Sequence, residues 1–266
     1  MTKIRWIPFL YLVILLAGAI WIPMLSGFEA NESQMDLVLC PASWSHPFGC
    51  DSLGRDLFVR VMLGARTTLG LGVVTTIIAF FLGVVFGFIS GMSRPRIDVF
   101  MMKLLEVLMS IPQLILISLC VLFFYRKVES PIGLFFGIAL SLCLGAWMLM
   151  AKITRGLVKK EIMLDYIEAA RALGASRWRI AYHHVFPNIK WDLLVAAGLQ
   201  IPGFLMFESV LSFIGVGLQP PTASWGLLIQ EGWKTLSSFP QLVLFPGAVL
   251  FLTVASFNLL FRKRPV

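Results

Sequence analysis

Residues 67–91 read TTLGLGVVTTIIAFFLGVVFGFISG, without a single Asp, Glu, Lys or Arg. A helix that crosses the hydrocarbon core of a bilayer needs about 20 mostly apolar residues, and this run is long enough. Small residues also recur four positions apart on one helix face, a spacing that lets neighbouring backbones approach closely. They are Ala79, Gly83, Gly87 and Gly91. The stretch therefore predicts a membrane-spanning helix with one closely packed face.

The composition of the whole chain agrees with a membrane protein. Of its 266 residues, 58% are hydrophobic and 14% are charged, whereas soluble domains have about 45–50% and 25%. The mean hydropathy is +0.87. The net charge of +8 comes from Lys and Arg that stand between apolar runs, and no basic patch is interleaved with aromatic residues. This distribution is typical of membrane topology and argues against a nucleic-acid partner.

Six apolar runs are long enough to cross a membrane, at 6–25, 67–91, 100–125, 131–151, 193–218 and 241–261. We therefore predict an all-α membrane protein in which residues 1–266 form a single transmembrane domain. The third run carries Lys103 and Glu106 near its start, and Pro112 within it predicts a kink. Three connections are long, at 26–66, 152–192 and 219–240.

The distribution of basic residues predicts how these helices are oriented. With both termini in the cytoplasm, sixteen of the 22 Lys and Arg residues fall inside and six fall outside. The six outside are Arg55, Arg60, Arg66, Arg126, Lys127 and Lys234. Because cytoplasmic loops carry the excess of positive charge, we expect an N-in, C-in topology. Loops 26–66 and 219–240 would then lie outside, and loop 152–192 would lie inside.

The first apolar run has two interpretations. Lys3 and Arg5 precede an apolar stretch that contains Ala17-Gly18-Ala19, which is the pattern of a secretory signal peptide and its cleavage site. The apolar run continues beyond that site to Leu25, so we favour a retained helix. Either interpretation leaves the orientation of the other five helices unchanged.

The inside loop contains the most informative polar stretch, DYIEAARALGAS at 165–176. Its helix formers predict a short helix that ends near Leu173, with Gly174 in the left-handed conformation as the C-terminal cap. Ser176 predicts the N-cap of a second short helix, which Pro187 would end near Phe186. Two such helices would form a compact projection. Taken alone, the same stretch equally fits a solvated amphipathic connector.

The order and spacing of these residues resemble the Glu-Ala-Ala loop of ABC importer permeases. Gly174 stands six positions after Glu168, and Pro187 stands nineteen after it. Residues 168–188, EAARALGASRWRIAYHHVFPN, are most similar to the dipeptide, oligopeptide and nickel branch. In that family the loop is a coupling helix that docks onto a cytoplasmic ATPase. The resemblance implies that the contact and hinge positions are Glu168, Ala169, Ala170, Arg171 and Gly174.

Two further stretches strengthen the resemblance, which spans roughly residues 45–261. Residues 46–56, HPFGCDSLGRD, resemble the HPxGTDxxGRD segment that precedes the second helix in this branch. Residues 208–221, ESVLSFIGVGLQPP, followed by SWG at 224–226, resemble its fifth-helix signature. Both are typical of the second, C-type permease of a pair. Cys50 stands where the family usually has Thr, and Phe186 stands where it usually has Leu.

The resemblance implies a subunit of an importer in the bacterial inner membrane. Its partners would be a homologous permease, two cytoplasmic ATPase subunits, an extracytoplasmic solute-binding protein that faces the two outside loops, and membrane lipid. Peptide is the expected solute, with nickel or another small solute as the alternative. The chain lacks a phosphate-cradling GxxxxGK[ST] loop. We therefore expect ATP and Mg on the ATPase and no cofactor in this chain.

Catalysis and metal binding find little support, so we expect no enzyme activity in this chain. No Ser, His and Asp cluster carries the signature of a nucleophilic site. His183 and His184 are adjacent, so they point to different faces of a helix, and they lack a nearby third ligand. Catalytic zinc usually takes three protein ligands. We expect the two histidines to contact the ATPase or lipid headgroups.

Glu208 is the one acidic residue well inside an apolar run, where charge is costly. It either lines the translocation pathway or is a buried, hydrogen-bonded group that fixes helix packing. Cys120 and Cys143 fall in helices, where cysteine behaves as a small apolar residue. Cys40 and Cys50 share the outside loop, where an oxidising compartment permits a disulfide. The sequence leaves open whether that disulfide forms.

Two other classes of protein compete with an importer permease. An ion-coupled secondary transporter would need several ionisable residues that form a relay in the membrane, and Glu208 stands nearly alone. A membrane-embedded enzyme would need a catalytic set, which the helices do not carry. A co-purifying ATPase chain would discriminate among these classes.

Overall fold

The computed structural model describes residues 3–25 and 32–261. The described part contains ten α-helices: α1 (Lys3–Leu25), α2 (Leu57–Met92), α3 (Pro95–Met109), α4 (Gln113–Lys127), α5 (Pro131–Glu161), α6 (Asp165–Ala172), α7 (Arg177–Arg179), α8 (Phe186–Phe213), α9 (Trp225–Trp233) and α10 (Gln241–Phe261). A π-helical segment, Ile180–Val185, joins α7 to α8, so Arg177–Phe213 is one continuous helix. Five helices can cross a membrane by length and composition, or six if α3 and α4 count as one span. The predicted all-α membrane fold is confirmed.

Two spanning helices are longer than their apolar runs. α2 begins at Leu57 rather than at residue 67, because Asp56 caps its N-terminus by accepting a 2.8 Å hydrogen bond from the Val59 amide. α5 continues to Glu161 rather than ending at residue 151. Both predicted loops, 26–66 and 152–192, are therefore too long. Residues 26–31 of the first lie outside the described part of the chain.

The third apolar run is two helices rather than one kinked helix. α3 ends at Met109, α4 begins at Gln113, and the two are bent by 78°. Pro112 is the N-cap of α4. Proline has no backbone N–H and its ring clashes with the preceding turn, so it can begin α4 but cannot continue α3.

The predicted end of the second loop helix at Pro187 is wrong. Pro187 lies in the first turn of α8, and the helix continues to Phe213. The π-helical segment before it changes the hydrogen-bond pattern, so Pro187 occupies a first-turn position where a missing N–H is tolerated. At its other end the helix stops at Phe213, short of the predicted residue 218.

α2 and α5 pack against each other at the centre of the bundle through the small residues of α2. A Cβ atom on Gly83 would lie 2.5 Å from the Met150 Cβ, and one on Gly87 would lie 2.2 Å from the Ala151 carbonyl oxygen. Heavy atoms cannot approach so closely, so glycine is required at both positions. The predicted closely packed face is confirmed as the contact with α5.

α1 is integrated into the bundle. Leu15 and Ala19 are buried in a cluster that includes residues of α2 and α10. The hydroxyl of Tyr11 donates a 3.1 Å hydrogen bond to the Val249 carbonyl of α10. These contacts favour the interpretation of the first apolar run as a retained helix.

Candidate functional site: the projecting loop after α5

The loop that follows α5 folds as two helices joined at a glycine. Gly174 has φ +84°, in the left-handed region. Its N–H donates to the Arg171 carbonyl at 2.9 Å, and the Ala175 N–H donates to the Ala170 carbonyl at 3.0 Å, which together form a Schellman motif. The Ser176 hydroxyl accepts a 3.3 Å hydrogen bond from the Arg179 amide and so caps α7. Both predicted caps are confirmed.

The five residues that the resemblance singled out lie together on this projection. Glu168, Ala169, Arg171 and Gly174 are exposed, and Ala170 is half-buried. A Cβ atom on Gly174 would meet no atom within 4 Å. Leu173 beside it is 89% exposed although it is apolar. The outer face is therefore an accessible surface of small and apolar residues between one acidic and one basic side chain. Its contact with another chain stays a prediction.

The inner face of α6 is held by apolar packing. Ile167 is fully buried in a cluster with Ile180 and Val185 of the π-helical segment, Ile189 of α8 and Val158 of α5. One buried isoleucine contributes about 1.5–3 kcal/mol of hydrophobic stabilisation. The short helix is therefore fixed by its tertiary contacts, because a helix of this length is unstable in isolation.

A polar network adds to this anchor, and the sequence analysis missed it. The Tyr166 hydroxyl donates to the Glu161 carboxylate at the end of α5. The Asn188 side-chain amide of α8 donates to both, at 2.8 Å in each case. Partial burial, followed by the hydrogen bond to Glu161, raises the pKa of Tyr166, so the phenol stays protonated and keeps donating. Three elements are thus joined at α6.

A second missed cluster joins the ends of three helices near the projection. Asp98 of α3 is 1% exposed. Its carboxylate accepts hydrogen bonds from Ser90 of α2 at 2.7 Å, from Arg155 of α5 at 2.5 and 2.7 Å, and from Lys159 of α5. A buried carboxylate needs such partners, and losing one costs several kcal/mol. These contacts therefore hold α2, α3 and α5 together at the end of the bundle that carries α6.

A cavity of about 350 Å³ lies between the α3–α4 break, α5 and α8. Its lining is mainly apolar and includes Leu142, Leu199 and Phe207, with the amide side chains of Gln113 and Gln200 as polar groups. The Gln113 amide donates a long 3.4 Å hydrogen bond to the Gly145 carbonyl. The break between α3 and α4 contributes to the cavity wall.

Glu208 does not line this cavity. It is 2% exposed, and its carboxylate accepts hydrogen bonds from Ser212 at 2.8 Å and from Thr68 of α2 at 3.4 Å. The Thr68 hydroxyl also accepts a 3.3 Å hydrogen bond from the Trp225 amide at the start of α9. These contacts connect α2, α8 and α9 and favour the packing role over the pathway role.

At the opposite end of α2, the segment 46–56 folds around a disulfide. Cys40 and Cys50 are bonded, with 4.9 Å between their Cα atoms. The His46 Nδ1 atom lies 2.8 Å from an Asp56 carboxylate oxygen. Within the described residues, Cys40, His46 and Cys50 form a group close enough to hold a metal, but the two sulfurs are already bonded to each other. His183 and His184 are not part of that group.

A buried ion-pair network connects the same segment to α9. Arg60 is fully buried, and its guanidinium lies 3.1 Å from Glu231 and 3.6 Å from Asp51. Arg55 pairs with the same two carboxylates, at 2.7 Å to Asp51 and 3.2 Å to Glu231. Arg60 precedes an apolar run in the sequence. Nothing in that part of the sequence predicts that its partner is a residue of α9.

The apolar helices and the broken span define a multi-pass membrane protein. Residues 83–262 match the family described as "Binding-protein-dependent transport system inner membrane component", and the chain belongs to this family. It is therefore a multi-pass inner-membrane protein, and the predicted family is confirmed.

The chain is similar to several peptide-transport permeases. It is 32% identical to the oligopeptide transport system permease protein OppC of Bacillus subtilis, over 97% of this chain and 82% of that protein. It is 34% identical to the dipeptide transport system permease protein DppC of the same organism, over 94% and 76%. It is 35% identical to OppC of Escherichia coli K12, over 93% and 80%.

A solved structure supports the fold. A chain of the inward-facing MetNI methionine ABC transporter superposes with a TM-score of 0.59, covering 74% of this chain and 91% of that one. The sequence identity is 20%. At that level the likeness concerns the fold alone.

Proposed function

We propose that this chain is one permease subunit of an ATP-driven peptide importer. It forms half of the translocation pathway with a homologous permease, in the N-in, C-in orientation. Two cytoplasmic ATPases bind ATP and Mg, and an extracytoplasmic solute-binding protein delivers the solute. The observation that carries the proposal is the projection at 165–176, which is exposed on one face and anchored to the bundle on the other.

In this proposal the ATPase contact is formed by Glu168–Gly174. The small side chains of Ala169 and Ala170 let a partner surface approach closely, and the exposed Leu173 supplies apolar area that a partner can bury. Gly174 sets the angle between the two short helices. Charge at Glu168 and Arg171 orients the partner, because complementary charges contribute mainly to specificity and association rate.

Motion of the ATPase reaches the membrane through the anchors of α6. Ile167 and Tyr166 connect α6 to α5 and α8 by buried and hydrogen-bonded contacts. Those two helices also wall the 350 Å³ cavity. A displacement of α6 therefore displaces the helices around the cavity, because closely packed elements move as units. Replacing Tyr166 with Phe would leave ATPase binding intact and reduce the transport gained per ATP hydrolysed.

Peptide is the proposed solute, with nickel or another small solute as the alternative. The relatives named above are described as oligopeptide and dipeptide permeases. The cavity lining agrees with a peptide, because the amide groups of Gln113 and Gln200 can both donate to and accept from a peptide backbone. Glu208, in this proposal, fixes helix packing at a distance from the pathway.

The test is whether an ATPase subunit accompanies the protein from native membranes in mild detergent. We expect the wild type to retain an ATPase chain and the Leu173→Asp variant to lose it, because a charge replaces the exposed apolar contact. Met35→Asp is the matched control, since Met35 is apolar and 77% exposed but lies before α2, at the other end of the bundle. Absence of an ATPase from the wild type in several mild detergents would refute the proposal.

The solute is tested separately in proteoliposomes that contain the whole transporter. Hydrolysis of ATP should rise when the solute-binding protein is loaded with peptide and not when it is offered nickel. The opposite result would assign nickel as the solute and leave the coupling proposal intact. Uptake driven by an ion gradient without ATP would instead establish a secondary transporter.

A further inference from the structure

A second concave region lies beside the projection, where α2 ends. Its volume is about 450 Å³, and Arg94, Arg171 and Arg177 line it together with Ser93. No acidic residue contributes to the lining. At this end of the bundle, Arg155 and Lys159 form ion pairs, both with Asp98. Among the described residues, no carboxylate forms an ion pair with Arg94, Arg171 or Arg177. Three such cations around one cavity attract an anion.

An apolar groove continues from this cavity along α2. Arg94 and Arg177 line its first part together with Ile89 and Trp178. Its second part runs past Val85, Ile89 and Tyr182 and is almost wholly apolar. Trp178 is 85% exposed and Tyr182 is 72% exposed, so two aromatic side chains flank the groove from the helix that follows the projection.

The position of the groove along α2 matches one leaflet of a bilayer. The spanning helix ends at Met92, so Arg94 stands just beyond it. From Met92 to Phe81, which is also exposed, the helix rises about 16 Å at 1.5 Å per residue. One leaflet contributes about 15 Å of hydrocarbon. Trp and Tyr are enriched at the interface between the two regions.

We propose that this cavity and groove bind one anionic phospholipid. The phosphate headgroup lies among Arg94, Arg171 and Arg177, and an acyl chain lies along Val85 and Ile89. Basic pockets at the ends of membrane helices recognise anionic headgroups in this way. Because Arg171 belongs to the projection, the lipid would connect the coupling loop to the composition of the membrane.

The apolar groove distinguishes a lipid from the other candidate ligands of this cavity. A soluble phosphate compound would occupy the arginine cavity and leave the groove empty. A soluble ATPase cannot enter the hydrocarbon region where Val85 and Phe81 lie. A partner permease would pack best on small residues, and the small face of α2 is already used by α5. The exposed stripe at Phe81, Val85 and Ile89 is bulky instead.

The test uses Trp178 as the reporter in the whole transporter, reconstituted in phosphatidylcholine nanodiscs. A minor fraction of brominated phosphatidylglycerol or brominated phosphatidylcholine is added, and bromine quenches the fluorescence of a tryptophan in contact with it. The Trp178→Phe variant gives the contribution of the other tryptophans, which is subtracted. We expect the Trp178 signal to be quenched several-fold more strongly by the brominated anionic lipid.

Variants of the arginines test the headgroup contact. The double variant Arg94→Gln, Arg177→Gln should lower the preference for the anionic lipid roughly tenfold or more, since each basic residue near an anionic surface adds to the attraction. The matched control is Arg96→Gln, Arg179→Gln, which removes two neighbouring exposed arginines outside the cavity and should keep the preference. If the double variant fails to assemble, Arg177→Lys should keep the preference and Arg177→Gln should weaken it.

Three outcomes would overturn the proposal. Equal quenching by both lipids would show that the headgroup is not recognised. Loss of the preference on adding inorganic phosphate would assign the arginines to a soluble anion. Absence of Trp178 quenching by either lipid would show that protein covers the groove. None of these outcomes depends on whether the projection binds an ATPase.

Discussion

Replacing Gly174 tests whether its left-handed conformation determines the shape of the projection. Gly174 has φ +84°, and a Cβ atom there would meet no atom within 4 Å. The cost of a side chain is therefore conformational rather than steric. For Ala this cost is about 1–2 kcal/mol, and it is smaller for Asn, which visits the left-handed region more readily. Val should cost more, because its branched Cβ restricts the backbone further.

A cost of about 1.4 kcal/mol corresponds to a tenfold change in the population of the opened cap. The reporting group is the Ala175 N–H, whose 3.0 Å hydrogen bond to the Ala170 carbonyl closes the Schellman motif. In Gly174→Ala, hydrogen exchange at Ala175 should become roughly tenfold faster. Transport should fall in the order Gly, Asn, Ala, Val at position 174.

Gly156→Ala is the matched control. Gly156 lies within α5 near the same end of the bundle, and a Cβ there also meets nothing within 4 Å. Its conformation is helical, so alanine should be neutral or slightly stabilising. The reasoning would be refuted if Gly174→Ala left the Ala175 exchange rate unchanged. It would also be refuted if Asn at position 174 cost as much as Ala.

Three further substitutions test the rest of the structure. Glu231→Ala leaves the fully buried Arg60 without its closest carboxylate, so folding should be destabilised by about 3–5 kcal/mol; a normal unfolding midpoint in detergent would contradict this. Cys50→Ser should remove the mobility shift that reduction causes in the wild type and cost about 2–3 kcal/mol; a wild type whose mobility does not change on reduction would contradict the disulfide. Glu208→Leu should lower the amount of protein in the membrane, with Glu208→Gln milder because one carbonyl acceptor remains; normal abundance with lost transport would establish the pathway role.

The sequence by itself determined the membrane character of the chain and the caps of the projecting loop. The apolar content of a helix is a local property, and a transmembrane helix is recognised from about 20 consecutive residues. The caps at Gly174 and Ser176 also depend on neighbours within a few positions, so their chemistry was legible in the stretch 165–176.

The helix ends were only partly determined by the sequence. α2 and α5 extend beyond their apolar runs because capping and packing, rather than hydropathy, set where a helix stops. Pro187 lies inside a continuous helix because the π-helical segment before it altered the backbone hydrogen bonds. Hydrophobic periodicity predicts neither these helix ends nor the π-helical segment.

Only the tertiary structure decided which polar groups meet. Arg60 pairs with Glu231, which is 171 positions away, and Asp98 pairs with Arg155, which is 57 positions away. Such pairs form because a charge buried among helices must be neutralised by whichever opposite charge the packing brings near. Packing also placed hydroxyl groups from two helices, Thr68 of α2 and Ser212 of α8, against the carboxylate of Glu208. The residues that hold the projecting loop to the membrane helices were fixed in the same way, by the fold that brings distant elements into contact.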